Sequence, residues 1–349
     1  MTRRALAIWE VVSGPNDTAV ATALNNLALL RRGQSRYDEA EALYERSLKI
    51  REARLGPDHC EIAQSLESLG DLCRERGNYV RAQPLLERAF AIRERALESD
   101  DPGLATSLNN LTQIYQEQGR HQLAQRLNER VLAIHEKAFG PDHPAVATSL
   151  NNLAEALRTQ GRRDEAEPLF RRVLAIREKA LGAEHDLVAQ VLNNLAMTYQ
   201  DSGDLARAVP LYERALAIKN VALGPDHPAV GTTLNNLAGL HWTRGEHAQA
   251  ERLYLRALAI WDNAHGPDHP TVGLCAYNLA CFYRKRGDHA LAEPLYERAL
   301  AIDQKAFGPD HSNVADDLDG LARLYRATDR EAKAREYERA AANIRAMRR

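Results

Sequence analysis

A chain of 349 residues, 44% hydrophobic and 27% charged with a formal net charge of −2, holds enough apolar material for a continuous core and no excess of either sign. That mixed, near-neutral balance excludes a global field drawing the chain to nucleic acid or an anionic membrane. No apolar run is long enough to cross a bilayer, the start carries no secretory leader, and Cys60, Cys73, Cys275 and Cys281 form no CxxC pair, which points to a reducing, cytoplasmic compartment without disulfides.

In chain order, residues 1–13 come first. Ala5-Leu6-Ala7-Ile8 lies 42 residues before Ser47-Leu48-Lys49-Ile50, so this stretch reads as the truncated second helix of a preceding unit. Its Leu6, Ile8 and Trp9 form an apolar edge on which another chain could stack. Residues 14–349 then carry one pattern eight times at a spacing of 42: NNLA at 25–28, ESLG at 67–70, NNLT at 109–112, NNLA at 151–154, 193–196 and 235–238, YNLA at 277–280 and DGLA at 319–322. A fixed period of this size means stacked supersecondary units forming one solenoid, not a single globular core.

The unit at 143–182 shows what each copy contains. Val146, Leu150, Leu153, Ala154 and Leu157 recur at three- and four-residue steps and predict one apolar helix face. Gly161 breaks the pattern, and Ala166, Leu169, Phe170, Val173, Leu174 and Ile176 predict a second helix ending at Gly182. Glycine stands in the turn of six units, with Ser35 and Asp329 replacing it in the first and last. Pro84, Pro168, Pro210 and Pro294 fall near the predicted start of the second helix, where a missing N–H would have no intrahelical partner. The links between hairpins read GPDHP at 140–144, 224–228 and 266–270. Small residues recur in the first helix (Ala28, Gly70, Thr112, Ala154 and onward) and in the second (Ala40, Ala82, Ala124, Ala166 and onward), where helices must approach closely.

These residues resemble the tetratricopeptide repeat (TPR): large, Leu, small and aromatic in the first helix, then Gly, Ala, aromatic and Ala. Leu192, Leu195, Ala196, Tyr199, Gly203, Ala208, Tyr212 and Ala215 fill those places in the fifth unit. The 42-residue length and GPDHP link are similar to the repeats of kinesin light chains and related bacterial proteins. The resemblance covers about 5–345 and implies an all-α, right-handed superhelix of antiparallel helix hairpins, an α-solenoid whose first helices line a concave groove for an extended peptide. It further implies that the first Asn of each NNLA, Asn25, Asn109, Asn151, Asn193 and Asn235, faces that groove, where a carboxamide both donates to and accepts from a peptide backbone. The second Asn of each pair is expected to bridge neighbouring helices.

Seven residues on lie Arg32, Arg74, Gln116, Arg158, Gln200, Trp242, Arg284 and Arg326. As a set the arginines suggest a basic stripe and an acidic protein or peptide partner, with Trp242 as an anchor. The expected peptide-binding set is thus Asn109, Asn151, Asn193, Asn235, Gln116, Arg158, Gln200 and Trp242, within 109–242.

Nothing reads as catalytic, and no cofactor or metal is implied. Six of the twelve histidines, His59, His143, His185, His227, His269 and His311, recur in the links. Successive layers about 10 Å apart cannot place two of them about 2 Å from one zinc, so they are expected to shape helix starts. HEKAF at 135–139 lacks the second histidine of a zinc protease, and no glycine-rich phosphate loop or nucleophile elbow occurs. The reading is a non-enzymatic interaction scaffold. Its alternatives are a sensor or regulatory module of a larger signalling protein, such as a nucleotide-binding ATPase, and a self-assembling structural repeat protein.

Overall fold

The computed structural model describes residues 6, 9–34 and 36–347. From Thr18 onward these residues form sixteen helices in eight hairpins. The first four hairpins are α1 (Thr18–Gly33) with α2 (Tyr37–Leu55), α3 (Cys60–Glu75) with α4 (Tyr79–Ala96), α5 (Leu104–Glu117) with α6 (His121–Phe139), and α7 (Pro144–Thr159) with α8 (Arg163–Leu181). The last four are α9 (Asp186–Asp201) with α10 (Leu205–Leu223), α11 (Pro228–Thr243) with α12 (His247–His265), α13 (Pro270–Arg286) with α14 (His289–Phe307), and α15 (Ser312–Ala327) with α16 (Glu331–Met347). The chain divides into two compact units, Met1–Ile176 and Arg177–Arg349, each taken here by itself. No described helix is long and apolar enough to cross a membrane.

The link histidines do start helices. In α3, α7, α9, α11, α13 and α15 the preceding imidazole Nδ1 accepts the backbone N–H two residues on, at 3.1 to 3.3 Å. Each thereby satisfies one of the orphan donors of its helix. Turn glycines hold a left-handed backbone, as at Gly161 with φ +78°; Asp329, φ +57°, is the one described non-glycine that adopts it.

The prolines correct one expectation. Pro84, Pro168, Pro210 and Pro294 are each the sixth residue of α4, α8, α10 and α14, not the first. In α4 and α10 a preceding side chain caps the earlier start: Asn78 Oδ1 accepts from Arg81 N at 3.2 Å, and Asp204 Oδ1 from Arg207 N at 3.0 Å. The tolerated loss is one ladder bond per helix; the freed acceptor of α4 belongs to Val80, whose side chain is exposed.

Within a hairpin, the small residue of the first helix faces a large one of the second. A Cβ on Gly70 would come within 2.7 Å of Leu86 Cγ. The large place is filled by Tyr44, Leu86, Phe170, Tyr212, Tyr254 and Tyr296, none more than 3% exposed. The second-Asn place of the next hairpin closes over it, since a Cβ on Gly320 would lie 2.6 Å from Tyr296 Cε1.

Neighbouring hairpins are also tied by a polar residue near the end of the first five second helices. Arg51 donates to Ser65 Oγ at 2.7 Å and to the Glu61 carbonyl at 3.1 Å. Arg93 holds Glu67 through two bonds of 2.8 and 2.9 Å, and Ser107 donates to the same carboxylate. His135 Nδ1 meets Ser149 Oγ at 2.7 Å. In the second unit Arg177 donates to the Leu187 carbonyl at 2.8 Å, and Lys219 to Thr233 Oγ1 at 3.1 Å.

First helices also approach first helices: α3 meets α5 in the first unit, and α9, α11, α13 and α15 meet in succession in the second. Among the described residues no pair of second helices comes as close. Where these pairs meet, the first helices lie on the inner side of the local curvature. At the other end of the first unit, Leu6 packs against Val20, Ala21, Leu24 and Ile50, while Trp9, Val11 and Val12 are exposed. Ala5, Ala7, Ile8 and Ser35 lie outside the described residues.

Candidate functional site

In the first unit, three of the expected residues converge. Asn109, Gln116 and Asn151 line one cavity of about 160 Å³ together with Thr112, Gln113, Asn128, Asn152 and Glu155. Spacing explains the first-helix members: 109, 113 and 116 share one face of α5, and 151, 152 and 155 stand in the corresponding turns of α7. The cavity exists because of a residue on the second helix that the sequence reading passed over.

Asn128 stands on α6 where six of the other seven hairpins carry Tyr44, Leu86, Phe170, Tyr212, Tyr254 and Tyr296 and the last carries Glu338. It is 2% exposed, and its Nδ2 has no partner in the chain. Thr112, the small-place residue facing it, spends its hydroxyl on the Leu108 carbonyl at 2.9 Å. A buried donor left unmade costs about 1–3 kcal/mol, a cost that an acceptor supplied from outside removes. The signal was present in the 42-residue register: one carboxamide in a row of large side chains.

The expected basic stripe is a row of internal pairs instead. Arg32 Nε donates to Glu75 at 2.8 Å, and this hydrogen bond holds the Glu75 carboxyl below the usual carboxylate range. Arg158 grips Glu155 at 2.6 and 3.2 Å, Arg74 lies 3.9 Å from Asp71, and Arg326 lies 2.6 Å from Glu338. Arg284 donates to the Tyr296 hydroxyl at 3.2 Å. Carboxylates three residues upstream, on the next hairpin or on the second helix of the same hairpin pair with four of the five arginines, so an acidic ligand would have to displace them there.

In the second unit the expected residues are closed in. Asn235 accepts from Asn278 Nδ2 at 3.2 Å, so here a first and a second asparagine bridge two hairpins. Asn236 Nδ2 reaches Met197 Sδ at 3.6 Å, as expected of the bridging row. Asn193 is 6% exposed with Oδ1 unpartnered. Gln200 accepts from the Tyr212 hydroxyl at 3.0 Å. Trp242 packs edge-on to Phe282 with centroids 6.1 Å apart, and the Lys285 ammonium sits 4.5 Å from its ring centre. That tryptophan covers its neighbour's apolar surface.

Among the described residues, no three His, Cys, Asp or Glu side chains are arranged to hold a metal ion. What the cavity of the first unit offers is a set of carboxamides that donate and accept, beside a carboxylate already paired with an arginine.

The tetratricopeptide repeat family matches this chain in eight overlapping stretches, 3–53, 19–95, 61–137, 104–179, 151–220, 187–260, 230–303 and 274–346. No curated protein matches it. Among solved structures it is similar to a kinesin light chain-type protein of P. anserina with nearly identical TPR-like repeats, at 31% identity over 59% of this chain and 98% of that one, TM-score 0.51. It is also similar to BtubC (BKLC) of P. vanneervenii, at 25% identity over 67% and 92%, TM-score 0.51. Apo RapI, 15% identical over 81% and 97% with TM-score 0.60, shares the fold.

Proposed function

The chain belongs to the tetratricopeptide repeat family, and from that premise we propose that it is a protein-interaction scaffold that binds an extended segment of a partner protein along its first helices, with the principal grip at hairpins three and four. The supporting observation is Asn128: a buried Nδ2–H without a partner, in a cavity walled by Asn109, Gln113, Gln116, Asn151 and Asn152. A peptide unit carries one acceptor and one donor, which is the complement of such a wall. The Asn128 donor receives a carbonyl oxygen of the segment, and the surrounding carboxamides hold adjoining main-chain groups without reading side chains. Likeness to kinesin light chain-type repeats supports a partner that is itself a protein. Within the second unit Asn193, Gln200 and Trp242 offer a more closed face, to which Asn235, held by Asn278, contributes least.

A peptide array probed with the purified chain supplies the segment, and fluorescence anisotropy gives its affinity. Changing Asn109 and Asn151 to Ala together with Asn128→Leu is expected to weaken binding at least tenfold while the helical content is kept. Unchanged affinity in that triple variant sinks the site.

A further inference from the structure

In the second unit, the tie between hairpins changes character at the last junction. Arg177 and Lys219 provide the cation at the first two ties; on α12 the place holds Trp261, whose Nε1 donates to the Pro228 carbonyl of its own hairpin at 3.0 Å. On α14 the same place holds Asp303, and the serine or threonine place opposite it, on α15, holds Asp317. Two acids stand where Arg51 with Ser65 and Lys219 with Thr233 pair a cation with a hydroxyl.

Both are buried, Asp303 to 7% exposure and Asp317 to 3%. Asp303 Oδ1 and Asp317 Oδ2 have no hydrogen-bond partner. They form the floor of a cavity of about 300 Å³ whose walls include Pro270, Leu274, Tyr277 and Asp316. Leu274, Asn313 and Asp316 are exposed at its mouth, so the floor is reached from outside. Room for it depends on Gly273, where a Cβ would come 3.1 Å from Asp303 Oδ1. Tyr277 stands where other first helices carry the first asparagine, which puts the opening on the same helix face as the asparagine row.

We propose that this cavity is a subsite for a guanidinium group, the side chain of an arginine in the bound partner segment. The subsite rests on the scaffold reading above and adds side-chain selection, made within the second unit alone, to main-chain grip. A guanidinium supplies what the junction lacks: a permanent positive charge with five donors, enough to meet both open carboxylate oxygens at once. Its planar head packs against the Tyr277 ring and its stem against Pro270 and Leu274. A volume near 300 Å³ is at the small end of ligand sites and suits one side chain.

Without a ligand the acids keep a proton. Burial first, then Asp303 and Asp316, push the Asp317 carboxyl up to about 8, and burial raises Asp303 while Asn313 opposes it. The charged and titratable groups facing the pair are Tyr277 from α13, Asp316 beside Asp317 on α15, and Arg345 from α16, which is already engaged by Asp316 at 2.9 Å and Asp319 at 2.7 Å; His311 caps the start of α15. Binding of a guanidinium releases the proton of Asp317, so its affinity rises as pH climbs toward 8 and levels off above.

The test follows the 13Cγ resonances of Asp303 and Asp317 in the full chain during titration with N-acetyl-arginine amide at pH 8.5. Saturable shifts of both are expected, with a fall of at least one unit in the Asp317 pKa at saturation. N-acetyl-glutamine amide should give none and N-acetyl-lysine amide a several-fold weaker response. In the isosteric Asp303→Asn, Asp317→Asn variant, arginine amide should bind at least tenfold more weakly. An alanine-rich peptide with one arginine should compete with the amide. No saturable shift, an equal response to glutamine, or full binding by the double variant overturns the subsite. Equal binding of lysine overturns the guanidinium assignment, and exclusion of the peptide overturns the partner assignment. The amide probe does not require the carboxamide cavity, so the Asn109, Asn128 and Asn151 variants should bind it normally. Failure of the groove reading and failure of this one are thereby separable.

Discussion

Hairpins three and five have the same register and nearly the same first helices, yet one is open beneath its asparagine and the other is shut. In hairpin five Tyr212 fills the space behind the first helix and its hydroxyl reaches Gln200 at 3.0 Å. In hairpin three Asn128 takes the same place, the ring volume is missing, and Gln116, the counterpart of Gln200, lines a cavity. The outer helix thus decides whether the inner row of carboxamides faces packed side chains or space. Recognition in this chain follows from what stands behind the asparagine row as much as from the row itself.

The sharpest way to break the comparison is to transplant it. Tyr212→Asn is expected to cost about 3–5 kcal/mol, the usual range for deleting a buried aromatic ring, read as a fall in the urea midpoint. It should also leave Gln200 without its hydroxyl donor. A loss below about 1 kcal/mol would mean that the aromatic is not what shuts hairpin five. Next comes pH. The carboxamide cavity is lined mainly by neutral amides, whereas the acidic cavity has Asp317. Its folded-state pKa of about 8 lies above the ordinary 3.8, so the folded chain holds the proton more tightly than the unfolded chain. The stability this contributes is complete below about pH 4 and is lost as pH rises through about 8. The urea midpoint should therefore fall between pH 5 and 9, and Asp317→Asn should flatten most of that slope. A slope retained in the variant would place its origin elsewhere.

Much of this was legible in the residues alone, for a physical reason. A 42-residue period confines every packing position to a fixed phase, so the hairpins, the turn glycines and the capping histidines could be placed before any coordinates. Pro84 and Pro210 misled because their helices start at caps, Asn78 and Asp204, that lie six residues earlier. The arginine stripe misled for a different reason. Glu155 and Asp71 are three residues upstream of Arg158 and Arg74, a spacing any helix converts to contact, but Arg32 meets Glu75 only through the register of two hairpins. Asn128 and the Asp303–Asp317 pair were readable as breaks in phase. They escaped because attention rested on the first helices, while both breaks involve the second.

A smaller and opposite effect tests the open side. Asn128→Leu removes a buried unmade donor and fills part of the cavity, so it should stabilise the chain by about 1–3 kcal/mol while abolishing the grip on the partner segment. Stability and binding moving in opposite directions is the mark of a position kept for function. A variant that is both less stable and fully binding-competent would show instead that Asn128 is satisfied within the fold.

The smallest effect concerns the rim. Arg158 and Glu155 form a local pair three residues apart beside the cavity, with Glu155 partly exposed. Such pairs contribute about 0.2–1 kcal/mol, so Arg158→Gln should shift the urea midpoint little. Its value lies in binding. If the partner is held through main-chain groups by the carboxamides, freeing Glu155 adds a negative charge to the cavity edge without touching the donors that matter, and affinity for an uncharged segment should change less than threefold. If the arginines instead form the basic stripe that their spacing suggests, the same substitution removes one of five repeated charges and affinity for an acidic segment should fall tenfold or more. Measured side by side on segments of the two kinds, one conservative change decides whether this face reads charge or backbone.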